Sequence, residues 1–159
     1  ADTGPLTPTG GRIFKIRNYI KDDFFICTYG DGLSDVNINE LEDFHDLKHR
    51  IATVTAVRPV SRFGVMDLDT SDRVISFKEK PQAEGWINGG FFVIESQVKD
   101  YIDKNSDLFE TGPLPKLTRD NQLSAFLHNG FWKPMDTLRE KKELQELALS
   151  KTPPWLTNN

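Results

Sequence analysis

Twelve consecutive residues, Phe24-Phe25-Ile26-Cys27-Thr28-Tyr29-Gly30-Asp31-Gly32-Leu33-Ser34-Asp35, limit what this chain can fold into. The run from Phe24 to Tyr29 is rich in strand-forming side chains and has no polar alternation. That pattern predicts a strand buried on both faces, as in a parallel sheet covered by helices. It then meets a carboxylate between two glycines, where the backbone can turn sharply and a ligand can come close. Asp31 is thereby expected at the carboxyl end of a central strand, where open α/β sheets bind ligands. An aspartate there could hold a hard cation such as Mg²⁺ or a sugar hydroxyl. The same residues also fit a simple turn, and the rest of the chain has to decide between the two.

Composition narrows the class. The 159 residues suffice for one domain with a core, expected over 1–159 with a loosely held tail at 152–159. A net charge of −4 leaves no basic footprint, so nucleic acid is not an expected partner. The single cysteine, Cys27, rules out an internal disulfide framework, and its place in the apolar run suggests packing. No apolar stretch reaches membrane-spanning length, and no signal peptide opens the sequence, so no membrane partner and a cytoplasmic location are expected.

Strand and helix patterns alternate along the chain. Thr9-Gly10-Gly11 leads into a helix carrying Ile13, Ile16 and Ile20 on one face, with Thr9 as its cap. Asn37 and Glu40 have capping-box spacing ahead of a second helix. Ile51 to Val57 reads as another buried strand, and the strand–helix–strand order predicts parallel pairing of the two strands. Gly64 to Asp69 and Arg73 to Lys80 read as a hairpin around Thr70-Ser71-Asp72, closed by Pro81. Phe91 to Ile94 and Leu123 to His128 read as strands. Gln97 to Asp103, Pro113 to Asp120 and Leu138 to Leu149 read as helices. His45, His49 and His128 lack ligand spacing and read as structural.

Polar residues collect at four places that sheet geometry leaves unexplained. Asp31 is the first. Glu79-Lys80 is delivered at a strand end, either as an exposed pair of little worth or as a phosphate-binding lysine with a carboxylate for a sugar hydroxyl. Asn88-Gly89-Gly90 enters a strand, either as a β-bulge or as a close approach to a ligand. Asp136 either caps the last helix or is left free when Thr137 caps it.

In order and spacing, these places resemble the sugar-phosphate nucleotidyltransferases, and among them the glucose-1-phosphate cytidylyltransferases. The resemblance runs through Asp2-Thr3-Gly4, Thr9-Gly10-Gly11-Arg12, Thr28-Tyr29-Gly30-Asp31-Gly32, Arg62-Phe63-Gly64, Phe77-Lys78-Glu79-Lys80-Pro81, Trp86-Ile87-Asn88-Gly89-Gly90 and Gly130-Phe131-Trp132-Lys133-Pro134-Met135-Asp136-Thr137. It implies an α/β, Rossmann-like nucleotide-diphospho-sugar transferase fold: a mixed, mostly parallel sheet with helices on both faces, incomplete at its amino end. It also implies that CTP and glucose 1-phosphate are the substrates, with CDP-glucose and pyrophosphate as products. The cofactor implied is Mg²⁺ held by Asp31 and Asp136. Glu79, Lys80, Asn88 and Gly89 match residues that hold the hexose phosphate, with Gly64 beside them admitting the sugar. Thr9, Gly10, Gly11, Arg12 and Gly30 lie where the family meets the nucleotide. Tyr29 either lines that cleft or simply packs. Lys80, Asp31 and Asp136 are the implied catalytic residues, and the product would feed bacterial surface polysaccharide such as O-antigen.

The chain departs from the family in one respect. No strand delivers a loop of the type Gly-x-Gly-Thr-Arg, which in the family cradles the triphosphate. The expectation is a carboxyl-terminal part of a longer enzyme, inactive alone and prone to self-association as a homo-oligomer. Alternatives are a sugar-phosphate-binding module without catalysis, and a pyrophosphorylase using dTTP or UTP. A metal-dependent glycosyltransferase fits less well, because the acid nearest after Asp31 is Asp35 and no Asp-x-Asp pattern forms.

Overall fold

Local chemistry places most of the elements in the computed structural model, which describes residues 1–103 and 107–156. Helix α1 (Thr9–Ile16) is followed by strand β1 (Phe24–Thr28) and the short β2 (Gly32–Ser34). Helix α2 (Ile38–Lys48) starts where Asn37 accepts hydrogen bonds from the Asn39 and Glu40 amides. Strand β3 (Ala52–Val57), the hairpin β4 (Val65–Leu68) and β5 (Val74–Lys78), and β6 (Ile87–Glu95) come next. A 3-10 helix (Ser96–Tyr101), α3 (Pro113–Arg119), β7 (Leu123–His128), β8 (Trp132–Pro134) and α4 (Leu138–Ala148) complete the described chain. Pro134 closes β8, and Thr137 with Glu140 forms a full capping box at the start of α4.

The chain, expected as one domain, divides into two compact units. The first comprises Ala1–Gly30, Asn37–Thr55 and Gly90–Phe126. It holds the main sheet, with strand order β1-β6-β3-β7, and β1 runs antiparallel to β6 with Cys27 opposite Phe92. Its core is Ile13 of α1, Ala52 of β3, Phe92 and Ile94 of β6, Val98, Ile102, Phe109 and Leu117. His45 lies on the buried face of α2, where Nδ1 is 2.9 Å from Thr53 Oγ1 and Nε2 is 3.2 Å from Glu95 Oε1.

The second unit comprises Asp31–Val36, Ala56–Gly89 and Leu127–Asn159. It contains two antiparallel ribbons, β2 with β8 and β4 with β5, together with α4, whose Leu144 is buried. Asp69 builds the hairpin turn by accepting from the Ser71 and Arg73 amides. In the expected loose tail Pro153 is buried and the Trp155 ring meets Phe131, while 157–159 lie outside the described residues.

Several sequence expectations are corrected. β1 does not pair with β3, because β6, from much later in the chain, lies between them. With β6 as its one neighbour among the described residues, β1 is an edge strand, and Ile26 is exposed rather than buried. Helix α1 ends at Ile16, short of Ile20, and Pro8 rather than Thr9 occupies its cap position. Proline fits that position because its fixed φ, here −69°, suits an extended cap residue that needs no amide donor, and the Thr9 hydroxyl is used elsewhere. The segment predicted as a helix from Gln97 is the 3-10 helix.

Candidate active site

Asp31 follows the Tyr29-Gly30 end of β1 and enters β2. A Cβ at Gly30 would meet nothing within 4 Å, so the ground before Asp31 is open. The Met135 amide donates to the Asp31 carbonyl at 2.7 Å, extending the ladder in which Gly32 faces Pro134. Asp31 therefore lies across from Met135, and Asp136 is the next residue along. Two aspartates far apart in sequence thus flank the same end of one ribbon, Asp31 just before β2 and Asp136 two residues after β8. The indole N–H of Trp132 in β8 donates to the Gly89 carbonyl at 2.7 Å, which ties the same ribbon to the start of β6.

Behind this ribbon His128 Nε2 lies 2.8 Å from Asp35 Oδ1 and 3.2 Å from Ser34 Oγ, and Ser34 donates to the Phe131 carbonyl at 2.8 Å. Gly130 leaves room for that pair, since a side chain there would strike Asp35 and His128. His128 is therefore a brace of the ribbon, in keeping with a structural histidine.

Asp136 does not cap α4. Thr137 does, and the Asp136 carboxylate instead faces Arg62, with Arg62 Nη2 3.3 Å from Asp136 Oδ2 and 2.8 Å from Glu140 Oε1. Among the described residues no group of three or more His, Cys, Asp or Glu side chains gathers as a metal cage. Two carboxylates are nonetheless a donor set of the kind that Mg²⁺ uses, because that ion keeps several of its waters.

Lys80 ends the hairpin with its backbone in the left-handed region, φ 46°, immediately before Pro81. Such a conformation in a long side chain costs about 1–2 kcal/mol. It is held by the Ser61 amide donating to the Pro81 carbonyl at 2.8 Å and the Ala83 amide to the Pro59 carbonyl at 2.9 Å. The Lys80 ammonium is 3.8 Å from Glu79 Oε1, and both side chains are exposed, so the charge is available to an incoming anion. The space a Cβ would take at Gly64 is already filled by the Phe77 ring and the Glu79 carboxylate, so that glycine accommodates the hairpin's own side chains. Asn88 and Gly89 lie in β6, whose entry is steadied by the Arg58 guanidinium 4.8 Å over the Trp86 ring.

In the first unit, Gly10 packs too closely on the Asp107 carbonyl for any side chain, and the Gly11 amide donates to that carbonyl at 3.0 Å. Arg12 donates to Thr3 Oγ1 at 2.7 Å, and Lys15 donates to the Thr3 carbonyl at 2.8 Å and to Thr7 Oγ1 at 2.9 Å. Thr9 donates to Glu110 Oε2 at 2.7 Å and accepts from the Phe109 amide at 2.9 Å. The Tyr29 hydroxyl donates to Glu110 Oε1. The Tyr29 ring also lies against Gly90, whose φ of 80° and lack of Cβ leave room for it. Burial pushes the Glu110 carboxyl up, but hydrogen bonds from Tyr29, Thr9 and its own backbone outweigh this and hold it below the usual value. Burial, with Glu110 adding to it, raises the Cys27 thiol, consistent with a packing role. Sequence reading missed Glu110. Its one signal is a carboxylate set in the apolar Leu108-Phe109 stretch ahead of Gly112-Pro113.

Comparison with known proteins gives a consistent result. The family model described as nucleotidyl transferase matches residues 8–140. A glucose-1-phosphate cytidylyltransferase from Salmonella typhi is 46% identical over 158 residues, covering 98% of this chain and 61% of the relative. A protein described as a probable glucose-1-phosphate cytidylyltransferase, from Bacillus subtilis (strain 168), is 40% identical over 147 residues, covering 92% of this chain and 58% of its own length. The chain thus spans about 60% of the length of these curated relatives. Among solved structures, HddC from Yersinia pseudotuberculosis complexed with GMP-PN superimposes with a TM-score of 0.67 at 21% identity, covering 91% of this chain and 64% of that one. At that identity the likeness speaks to the fold, which is the α/β arrangement with a mixed sheet that the sequence implied.

Proposed function

The chain belongs to the nucleotidyl transferase family, and from that premise we propose that the protein carrying it joins CTP to α-D-glucose 1-phosphate, giving CDP-glucose and pyrophosphate. The observation that carries this reading is the bond between the Met135 amide and the Asp31 carbonyl, which brings the backbone at Asp31 and at Met135-Asp136 to the same end of one ribbon. The cytidylyltransferase relatives support the choice of base and sugar.

In this reading a phosphate oxygen of glucose 1-phosphate attacks the α-phosphorus of CTP. The new bond joins that oxygen to phosphorus, the bond from the α-phosphorus to the α,β-bridging oxygen breaks, and its electron pair leaves with pyrophosphate. The nucleophile is already an anion, so the chain needs no general base. Its task is to position two anions and offset their repulsion. Lys80 holds the attacking phosphate, and Glu79, Asn88 and Gly89 orient the hexose. Asp31 and Asp136 would hold Mg²⁺, which when bound supplies positive charge at the nucleotide phosphates. The segment from Thr9 to Arg12, with Gly30, receives the nucleotide.

The reading extends to a cytoplasmic reaction supplying CDP-linked sugars to surface polysaccharide. Among the described residues no helix is long and apolar enough to cross a membrane, which accords with it. It also includes a homo-oligomer, supported by the exposed Met66, Leu68, Ile75 and Phe77 of the hairpin and testable by light scattering. The principal test is incubation of the full-length protein with CTP, glucose 1-phosphate and Mg²⁺, followed by phosphorus NMR. Equal amounts of CDP-glucose and pyrophosphate are expected. Absence of both, or transfer of glucose without pyrophosphate, overturns the proposal.

A further inference from the structure

We propose that Glu110 is a positioning residue for the nucleotide half of the reaction, an inference that rests on the function proposed above. A single carboxylate here serves two elements that the sequence keeps far apart. Its Oε2 accepts from Thr9, the first residue of α1, and its Oε1 accepts from Tyr29, the last residue before Gly30 and Asp31. The Tyr29 amide donates to the Gly90 carbonyl at 2.9 Å, and its ring fills the space beside Gly90, so a third segment is included.

The segment that carries Glu110 is itself fixed. The Gly112 amide donates to the Leu108 carbonyl at 2.9 Å and the Leu114 amide to the Phe109 carbonyl at 3.0 Å, while Phe109 is buried in the core against Phe92. The carboxylate is therefore a rigid bracket rather than a mobile surface acid. Its hold on Thr9 changes what that residue can do for a ligand. A threonine hydroxyl has one proton to donate, and here the proton is committed to Glu110 while an acceptor site is taken by the Phe109 amide. The Gly11 amide is likewise committed to Asp107. Thr9 thus sets the angle of the first turn of α1, and nucleotide contact from this segment passes to its remaining groups. Lys80 and Asp136 pair elsewhere, with Glu79 and Arg62, so loss of the bracket is expected to fall more heavily on the nucleotide than on the hexose phosphate.

The test compares Glu110→Ala, Glu110→Gln and Tyr29→Phe in the full-length protein, with KM measured separately for CTP and glucose 1-phosphate. Loss of the bracket is expected to raise the CTP KM by about tenfold or more in Glu110→Ala, with the glucose 1-phosphate KM held within about twofold. Glu110→Gln keeps one acceptor and adds a donor, so it is expected to recover part of the loss. Tyr29→Phe removes only the hydroxyl and leaves the ring against Gly90, which keeps the test open if Glu110→Ala fails to fold. Equal rises in both KM values, a fall in kcat alone, or no change in the variants overturns the inference. If the wild-type protein makes no CDP-glucose, the functional reading fails instead. Hydrogen exchange of the Gly10 to Arg12 amides then decides for Glu110 without turnover: faster exchange in Glu110→Gln supports the bracket, and unchanged exchange overturns it.

Discussion

In the first unit Glu110 takes its hydrogen bonds from two neutral hydroxyls, Thr9 and Tyr29, close to the edge-to-face rings of Tyr29, Phe92 and Phe109. In the second unit the acids Glu79 and Asp136 meet the cations Lys80 and Arg62 in solvent, with side-chain exposures of 57% for Arg62 and 55% for Asp136. The two arrangements suit different tasks. A half-buried carboxylate held by neutral donors keeps a fixed shape, because breaking its hydrogen bonds strands polar groups that water reaches poorly. An exposed ion pair is worth about 0–1 kcal/mol, so a phosphate or a metal can replace either partner at small cost. The groups assigned to charged ligands are thus loosely paired, and those assigned to shape are firmly held.

The sharpest way to break this contrast is to remove a loosely paired group and find that the fold depends on it. Lys80→Ala is expected to lower kcat/KM for CDP-glucose formation by about three orders of magnitude, roughly 4 kcal/mol of barrier. Its thermal melting is expected to stay at the wild-type value, because the 3.8 Å contact with Glu79 is exposed. Lys80→Gly is expected to be as slow and the more stable of the two, since glycine accepts φ 46° without strain. A large loss of stability in Lys80→Ala would show that the pair is structural.

The reverse experiment strikes the firm side. Gly90→Ala places a methyl 2.6 Å from Tyr29 Cδ2 on a backbone at φ 80°. Strain and overpacking together are expected to cost about 2–4 kcal/mol in denaturant unfolding. A cost below about 1 kcal/mol would mean that Tyr29 can move aside, and that the network is less rigid than its hydrogen bonds imply.

What the sequence disclosed follows the same division between local and distant causes. The Asn37 cap, the buried β3 and the hairpin around Thr70-Ser71-Asp72 are set by residues within a few positions of one another, and all are present. Neighbouring strands are not a local matter: β6 inserts between β1 and β3, so a sound strand–helix–strand pattern gives the wrong neighbour. Thr9 has the side chain of a cap, yet its hydroxyl donates its hydrogen bond to a carboxylate 101 positions away. Glu110 itself has no motif, because its meaning comes wholly from partners 101 and 81 residues distant. The candidacy of Asp31, Lys80 and Asp136 rests on resemblance, whereas the Arg62 contact with Asp136 required coordinates.

A smaller effect is expected at that contact. Arg62→Ala is expected to cost at most about 1 kcal/mol in thermal unfolding, since its guanidinium is mostly in water. The Thr137–Glu140 capping box persists without it. A cost of 3 kcal/mol or more, on the order of breaking a buried pair, would place Arg62 with the firm groups.

The last test uses acid and salt together, and its effect is the smallest. Glu143 on α4 is hydrogen-bonded by Lys133 and then by Arg139, and these cations lower its carboxyl from 4.5 to about 2. Glu110 is also held below its usual value, by neutral donors that outweigh its burial. Both carboxyls bind a proton more readily in the unfolded chain. Each therefore contributes stability above its unfolded value near 4.5, and loses it as pH falls through the folded one. For Glu143 that window runs from 4.5 down to about 2. The two differ in their response to salt. Ions screen the exposed Lys133–Glu143–Arg139 cluster, but they hardly affect hydrogen bonds from two hydroxyls to a half-buried carboxylate. Melting temperature followed from pH 6 to pH 2 is therefore expected to fall less steeply in Glu143→Gln at low salt, with the difference from wild type vanishing at about 1 M salt. The corresponding difference for Glu110→Gln is expected to persist at both salt concentrations. If salt removes both differences, Glu110 is held by charge after all, and the two units use one principle rather than two.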